Sequence, residues 1–151
     1  MRYARRLARQ HDQLREKGMT DERVGAQGFS IERHAPLLAR TNEVLQRLHY
    51  RLMTRAGDGT EGWPSLAPFD AILVTAGGRA VPQALLTQLR VPSDGSDGGK
   101  VRRGGRLVIP VGDAERQTML RFTRLDAGTG EASFQREAFD EFRFVPLVRE
   151  Q

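Results

Sequence analysis

Three polar residues stand where apolar stretches of this chain stop, and they are its best candidates for chemistry. They are Glu32 after Phe29-Ser30-Ile31, Asp58 within Gly57-Asp58-Gly59, and Thr75 after Ala71-Ile72-Leu73-Val74. Their types suit the holding of a polar ligand: a carboxylate accepts hydrogen bonds, a hydroxyl gives and accepts them, and a neighbouring glycine such as Gly59 admits close approach to the backbone. Taken alone, the same pattern describes a surface glutamate, an ordinary Gly-Asp-Gly turn and a β-branched strand residue.

Other chemistries fall away. With no cysteine there is neither a disulfide framework nor a thiolate metal site. His11, His34 and His49 lie far apart without ligand-like spacing, so no zinc is expected. Asp94-Gly95-Ser96-Asp97-Gly98 resembles the start of a calcium loop, but the twelfth place, which requires an acidic residue, is Gly105. No metal site is expected, and no side chain is singled out as catalytic.

The elements that must position these residues alternate. Tyr3 to Lys17 has a weakly amphipathic pattern stopped by Gly18, and Thr20-Asp21-Glu22-Arg23 reads as the cap and first turn of a second helix, cut short at Gly25-Ala26-Gln27-Gly28. Phe29 to Ile31 is a short strand ending on Glu32. A helix follows, with Pro36 in its first turn, Leu37, Leu38, Thr41, Leu45 and Leu48 on one face, and Glu43 with Arg47 as an i,i+4 pair. Leu52 to Ala56 is a second strand. Phe69 to Thr75 is a third, apolar enough to be buried on both faces of a parallel sheet.

Pro82 opens a helix with Ala84, Leu85, Leu86 and Leu89, and residues 90–105 turn to Pro, Ser, Asp, Gly, Lys and Arg, the composition of a mobile loop. Gly105 to Gly112 is another buried strand, with Pro110 tolerable near its end. Strands around Thr118 to Leu125 and Glu141 to Leu147 close the chain. Alternating strands and helices that give way to closely spaced strands imply an α/β doubly wound sheet with an antiparallel hairpin at one edge.

The chain's 151 residues suit one domain, here taken as 1–151. Its 24 Lys and Arg against 19 Asp and Glu give a net +5, but the charge is dispersed and no nucleic-acid motif accompanies it, so no nucleic-acid partner is expected. No apolar run of signal or membrane-spanning length follows the basic Arg2, Arg5, Arg6 and Arg9 or occurs elsewhere. A soluble, cytoplasmic protein is expected.

Several blocks resemble the protein-L-isoaspartate (D-aspartate) O-methyltransferase family. Gly57-Asp58-Gly59-Thr60, Gly62-Trp63 and Ala67-Pro68-Phe69-Asp70-Ala71-Ile72-Leu73-Val74-Thr75-Ala76 are similar to its second motif block. Val81-Pro82-Gln83-Ala84-Leu85-Leu86-Thr87-Gln88-Leu89 with Gly104-Gly105-Arg106-Leu107-Val108-Ile109-Pro110-Val111-Gly112 is similar to its third. Gln117 before Met119-Leu120, and Phe142 to Leu147, resemble its closing hairpin, and Leu14 to Val24 resembles its helical lead.

The resemblance implies a class I methyltransferase (Rossmann-like) fold that binds S-adenosylmethionine at the carboxyl ends of its strands. It implies methylation of L-isoaspartyl carboxylates in damaged proteins or peptides, a protein-repair reaction. On the same basis Glu32 and Arg33 fall where the ribose hydroxyls are held, Asp58 and Gly59 where adenine is contacted, and Thr75 at the sulfonium or substrate end. The resemblance also implies an absence. The family's substrate segment, first central strand and glycine-rich turn have no counterpart, because the joint from Val24 to Phe29 is far shorter than the roughly 30 residues they need. A sheet lacking that strand should be open or re-paired, and a catalytically silent remnant or interaction module is the alternative to an active enzyme.

Overall fold

The computed structural model describes residues 27–96, 99, 101–145 and 147. The two helices expected before Gly25, and the joint at 25–26, lie outside them. The described residues divide into two compact units, one holding 27–30 and 34–55, the other 31–33 and the chain from 56 onward.

Strand β1 (Gly28–Glu32), helix α1 (Ala35–Arg47) and strand β2 (Leu52–Ala56) follow the pattern read from the sequence. The two strands form a two-stranded sheet. Their first residues adjoin, since a Cβ on Gly28 would press on the Leu52 side chain, and past their ends the Gly57 N–H donates to the Glu32 carbonyl at 3.1 Å. Both strands therefore run the same way, with α1 as the crossover that parallel pairing requires. Pro36 lies in the first turn of α1, where its missing N–H costs nothing. Among the apolar residues of its expected face only Leu38 is buried; Leu37 and Leu48 are exposed. The expected Glu43–Arg47 ion pair is not formed among the described residues. Instead, Thr54 Oγ1 donates to Asn42 Oδ1 at 2.9 Å and ties β2 to the helix.

The second sheet has the order β3-β4-β5-β6 and comprises Ala71–Leu73, Arg106–Gly112, Gln117–Arg124 and Phe134–Phe142. β3 pairs with β4 in parallel; β4, β5 and β6 are antiparallel. Helix α2 (Gln83–Thr87), opened by Pro82, lays Leu85, Leu86 and the following Leu89 into a core with Leu107, Ile109, Leu120 and Phe134. Pro110 is fully buried inside β4. Its carbonyl accepts the Gly78 N–H on the β3 side, so its missing donor also faces that side, where β3 has already ended.

Three expectations are corrected. β3 is shorter than Phe69 to Thr75 and is covered on one face only: Ile72 and Val74 pack on the core while Leu73 is 60% exposed. Composition reported an apolar strand, but it could not report whether a layer covers both faces. The last strand is Phe134–Phe142 rather than Glu141 to Leu147. As the outer strand of the sheet it is mostly exposed and carries Gln135, Arg136, Asp140 and Glu141, so its period-2 signal is faint. Within the polar 90–105 stretch, the expected loop is pinned at its neck by paired hydrogen bonds between Ser93 and Arg102, at 2.9 and 2.8 Å.

Among the described residues the strands form two sheets, β1-β2 and β3-β4-β5-β6.

Candidate active site

The hydrogen bond from Gly57 to the Glu32 carbonyl sets the first part of the site. It brings the carboxyl end of β1 beside the turn that leaves β2, so Glu32 and Arg33 adjoin Gly57-Asp58-Gly59. The Asp58 carboxylate caps the short 3-10 turn Gly59–Glu61 by accepting the Thr60 N–H at 2.8 Å. Around Gly59 there is room: a Cβ built there would meet no atom within 4 Å. Glu32, Asp58 and Gly59 are half-buried and Arg33 is exposed.

The turn continues through Gly62, whose φ of +64° favours glycine. Gln88, at the end of α2, reaches both neighbours of Gly62. Its Oε1 accepts the Trp63 N–H and its Nε2 donates to the Glu61 carbonyl, each at 2.7 Å.

Thr75 lies elsewhere, exposed just past the end of β3. The turn after it is held on two sides. Gly77 exchanges hydrogen bonds with the C-terminal segment, donating to the Val145 carbonyl and accepting from the Leu147 N–H, both at 2.7 Å, and Gly78 is bound between Pro110 and Gly112. Gln117, 2% exposed, accepts the Phe144 N–H at 2.6 Å and donates to the Asp113 carbonyl. A Cβ on Gly77 would stand 2.8 Å from the Gln117 Cδ, so this turn needs glycine for close approach.

Glu32, Arg33, Asp58 and Gly59 thus adjoin, while Thr75 follows β3. The residues that sequence reasoning missed are Gln88 and Gln117, which hold these turns without being candidates themselves. For Gln88 a signal existed, a carboxamide inside the apolar run Leu85-Leu86-Thr87-Gln88-Leu89, where a buried polar group must find partners.

Two shallow concavities of about 360 and 410 Å³ lie between the strands and the polar loop, both lined by Arg103, Gly104 and Arg106. Neither is lined by Glu32, Arg33, Asp58, Gly59 or Thr75. They mark an arginine-rich surface and not the candidate site.

The residues present fit the nucleoside end of S-adenosylmethionine. A strand-end carboxylate beside an Asp-Gly turn with open space at the glycine offers acceptors for hydroxyl and amino groups and backbone that a flat base can approach.

Known proteins resemble the chain along most of its length. The family model described as Protein-L-isoaspartate(D-aspartate) O-methyltransferase (PCMT) matches residues 17–151. The protein-L-isoaspartate O-methyltransferase of Salinibacter ruber is 53% identical over 127 residues, covering 84% of this chain and 53% of the relative. That of Methylorubrum populi is 46% identical over 126 residues, covering 83% and 52%. The chain thus spans about half the length of the curated relatives it matches. Among solved structures, a protein-L-isoaspartate O-methyltransferase superposes with a TM-score of 0.65 at 21% identity, over 87% of this chain and 36% of that one. The Plasmodium falciparum protein, in complex with S-adenosyl-L-homocysteine, gives 0.62 at 17% identity, over 86% and 56%. These superpositions show the α/β, Rossmann-like fold, and the family match over residues 17–151 places this chain in the protein-L-isoaspartate(D-aspartate) O-methyltransferase family.

Proposed function

We propose that this chain serves the reaction for which its family is named, S-adenosylmethionine-dependent methylation of L-isoaspartyl carboxylates in damaged proteins, and that it contributes the nucleoside-holding part of the site. The observation that carries this is the junction of Glu32 with Gly57-Asp58-Gly59 at the carboxyl ends of β1 and β2. In this reading Glu32 accepts the ribose hydroxyls with Arg33 beside it, Asp58 and the Gly59 backbone contact the adenine, and Thr75 lies toward the reacting end. When bound, the cofactor supplies a methyl group on a sulfonium, which a carboxylate can take by direct displacement. That carboxylate is already ionised at neutral pH, so the chain's task is to hold and orient, and no strong base is required. The partners are isoaspartyl-containing proteins or peptides, with neither nucleic acid nor membrane; no helix among the described residues is long and apolar enough to cross a bilayer. The setting proposed is the cytoplasm, and the role is protein repair.

A second reading has its own support. The strands lie in two sheets, and the glycine-rich turn of the family has no counterpart in the sequence, which favours a catalytically silent remnant that retains nucleoside binding.

Calorimetry with S-adenosylhomocysteine, followed by methyl incorporation into an isoaspartyl peptide beside its aspartyl twin, separates the readings. Binding with incorporation into the isoaspartyl peptide alone supports the enzyme, and binding without incorporation supports the remnant. No heat at millimolar ligand would sink both.

A further inference from the structure

The Asp58–Trp63 turn is held partly from within and partly from outside. Its first half is capped by Asp58 itself, but its second half passes through Gly62 in a left-handed conformation and is gripped from outside by one side chain. Gln88 is 5% exposed. Its carboxamide spans Gly62, taking the Trp63 N–H on its oxygen and giving its nitrogen to the Glu61 carbonyl. The fit is close enough that any Cβ at position 62 would collide with the carboxamide. The Gln88 backbone carbonyl also accepts the Phe69 N–H at 2.8 Å, so the end of α2 is fixed to the chain entering β3. Gln88 thus ties the turn to the end of α2. A carboxamide suits this, because one partner is a donor and the other an acceptor.

We propose that Gln88 is a positioning residue for the nucleoside: it touches no ligand, but it fixes the turn so that Asp58 and Gly59 face the adenine. The proposal rests on the cofactor reading above. Replacing Gln88 by leucine leaves the Glu61 carbonyl and Trp63 N–H without partners, and the turn is released from α2. Replacing it by glutamate keeps the acceptor for Trp63 but turns an oxygen toward the Glu61 carbonyl. Protonation of that carboxyl restores a donor, so the defect reverses in acid.

Trp63 is the chain's one tryptophan and sits in the gripped turn, which makes its emission a direct reporter. In the full chain, with folding checked by circular dichroism, Gln88→Leu is expected to shift Trp63 emission without ligand. It should also weaken S-adenosylhomocysteine and adenosine by a similar factor, about tenfold or more. Gln88→Glu is expected to bind weakly at mildly alkaline pH and to recover toward wild-type affinity as pH falls. A stability defect alone does not produce an equal loss for both ligands in a chain that remains folded, so the pairing of adenosine with S-adenosylhomocysteine and the pH-dependent rescue identify positioning.

A folded Gln88→Leu with unchanged affinity would overturn the proposal while leaving the cofactor reading intact. So would a loss confined to S-adenosylhomocysteine, or a Gln88→Glu defect that does not change with pH. Should Gln88→Leu fail to fold, the pH dependence of Gln88→Glu decides. If the wild-type chain binds neither ligand, the cofactor reading itself fails, and the positioning role fails with it.

Discussion

The β4–β5 hairpin and the β1–α1–β2 unit are built to different standards. In the hairpin Leu107 and Ile109 are 0% exposed, Leu120 is 4%, and the buried polar groups Gln117 and Arg124 are hydrogen-bonded. Arg124 is the extreme case. Its guanidinium donates to the carbonyls of Thr87, Leu89, Asp126, Ala127 and Gly128 and lies over the Phe134 ring. In the strand–helix–strand unit, by contrast, Leu38 is the one buried apolar residue among those described, at 9%. The hairpin is a stability scaffold; in the thinner strand–helix–strand segment β1 ends in Glu32, a candidate ligand residue. Ligand-handling segments are commonly drawn from the less stable part of a fold, where binding supplies the missing order.

The largest expected effect tests the scaffold side. Arg124→Ala leaves the buried carbonyl of Leu89 and the part-buried one of Thr87 without this donor, and it should cost about 3–5 kcal/mol in urea denaturation. A loss within about 1 kcal/mol would mean that water replaces the guanidinium, and the hairpin would lose its special status. Next, Leu107→Ala should cost about 3 kcal/mol, while Leu38→Ala should cost less than half as much, because its site is shallower and can collapse. Equal losses would erase the contrast between the regions. Amide exchange sharpens it: Ile109 and Leu120 should be among the slowest and Phe29 to Ile31 clearly faster, and uniform deep protection from Phe29 through Val111 would break it.

The smallest effect is acid sensitivity of the hairpin. The N–H groups of Arg116 and Glu115 hold the Asp113 carboxyl below its ordinary range, Ser133 and the Gly128 N–H do so for Asp126, and Arg121 does so for Glu137, with Nε and Nη2 at 2.8 and 2.7 Å. Folding therefore favours the charged forms. Their contribution is present at neutral pH and is lost as pH falls below the usual carboxylate range through the folded values. Asp113 and Asp126 are exposed and Glu137 is half-buried, so the effect is modest. Melting curves for wild type and Glu137→Gln should converge in acid, and a constant gap between them would remove the ion pair from the account.

Much of this was legible without coordinates because it is local. The bounds of β2, the place of Pro36, the buried run of β4 and the glycine-flanked Asp58 all follow from residues a few positions apart, whose spacing fixes strand, helix or turn. The family's collinear blocks likewise singled out Glu32, Arg33, Asp58, Gly59 and Thr75 as candidates. Coverage was not legible: Leu73 belongs to as apolar a run as Leu107, yet one is 60% exposed and the other fully buried. The reason is that a strand's composition sets what it can bury, while the layers around it set what it does bury. Partnership was not legible either. Gln88 reaches Trp63 across 25 positions, and Arg124 reaches Thr87 across 37. A carboxamide or guanidinium carries no mark of which carbonyl it will meet. Sequence determined the elements and the chemistry they carry, and the tertiary structure decided which turns are gripped, because hydrogen bonds between distant residues exist only once the chain has folded them into reach.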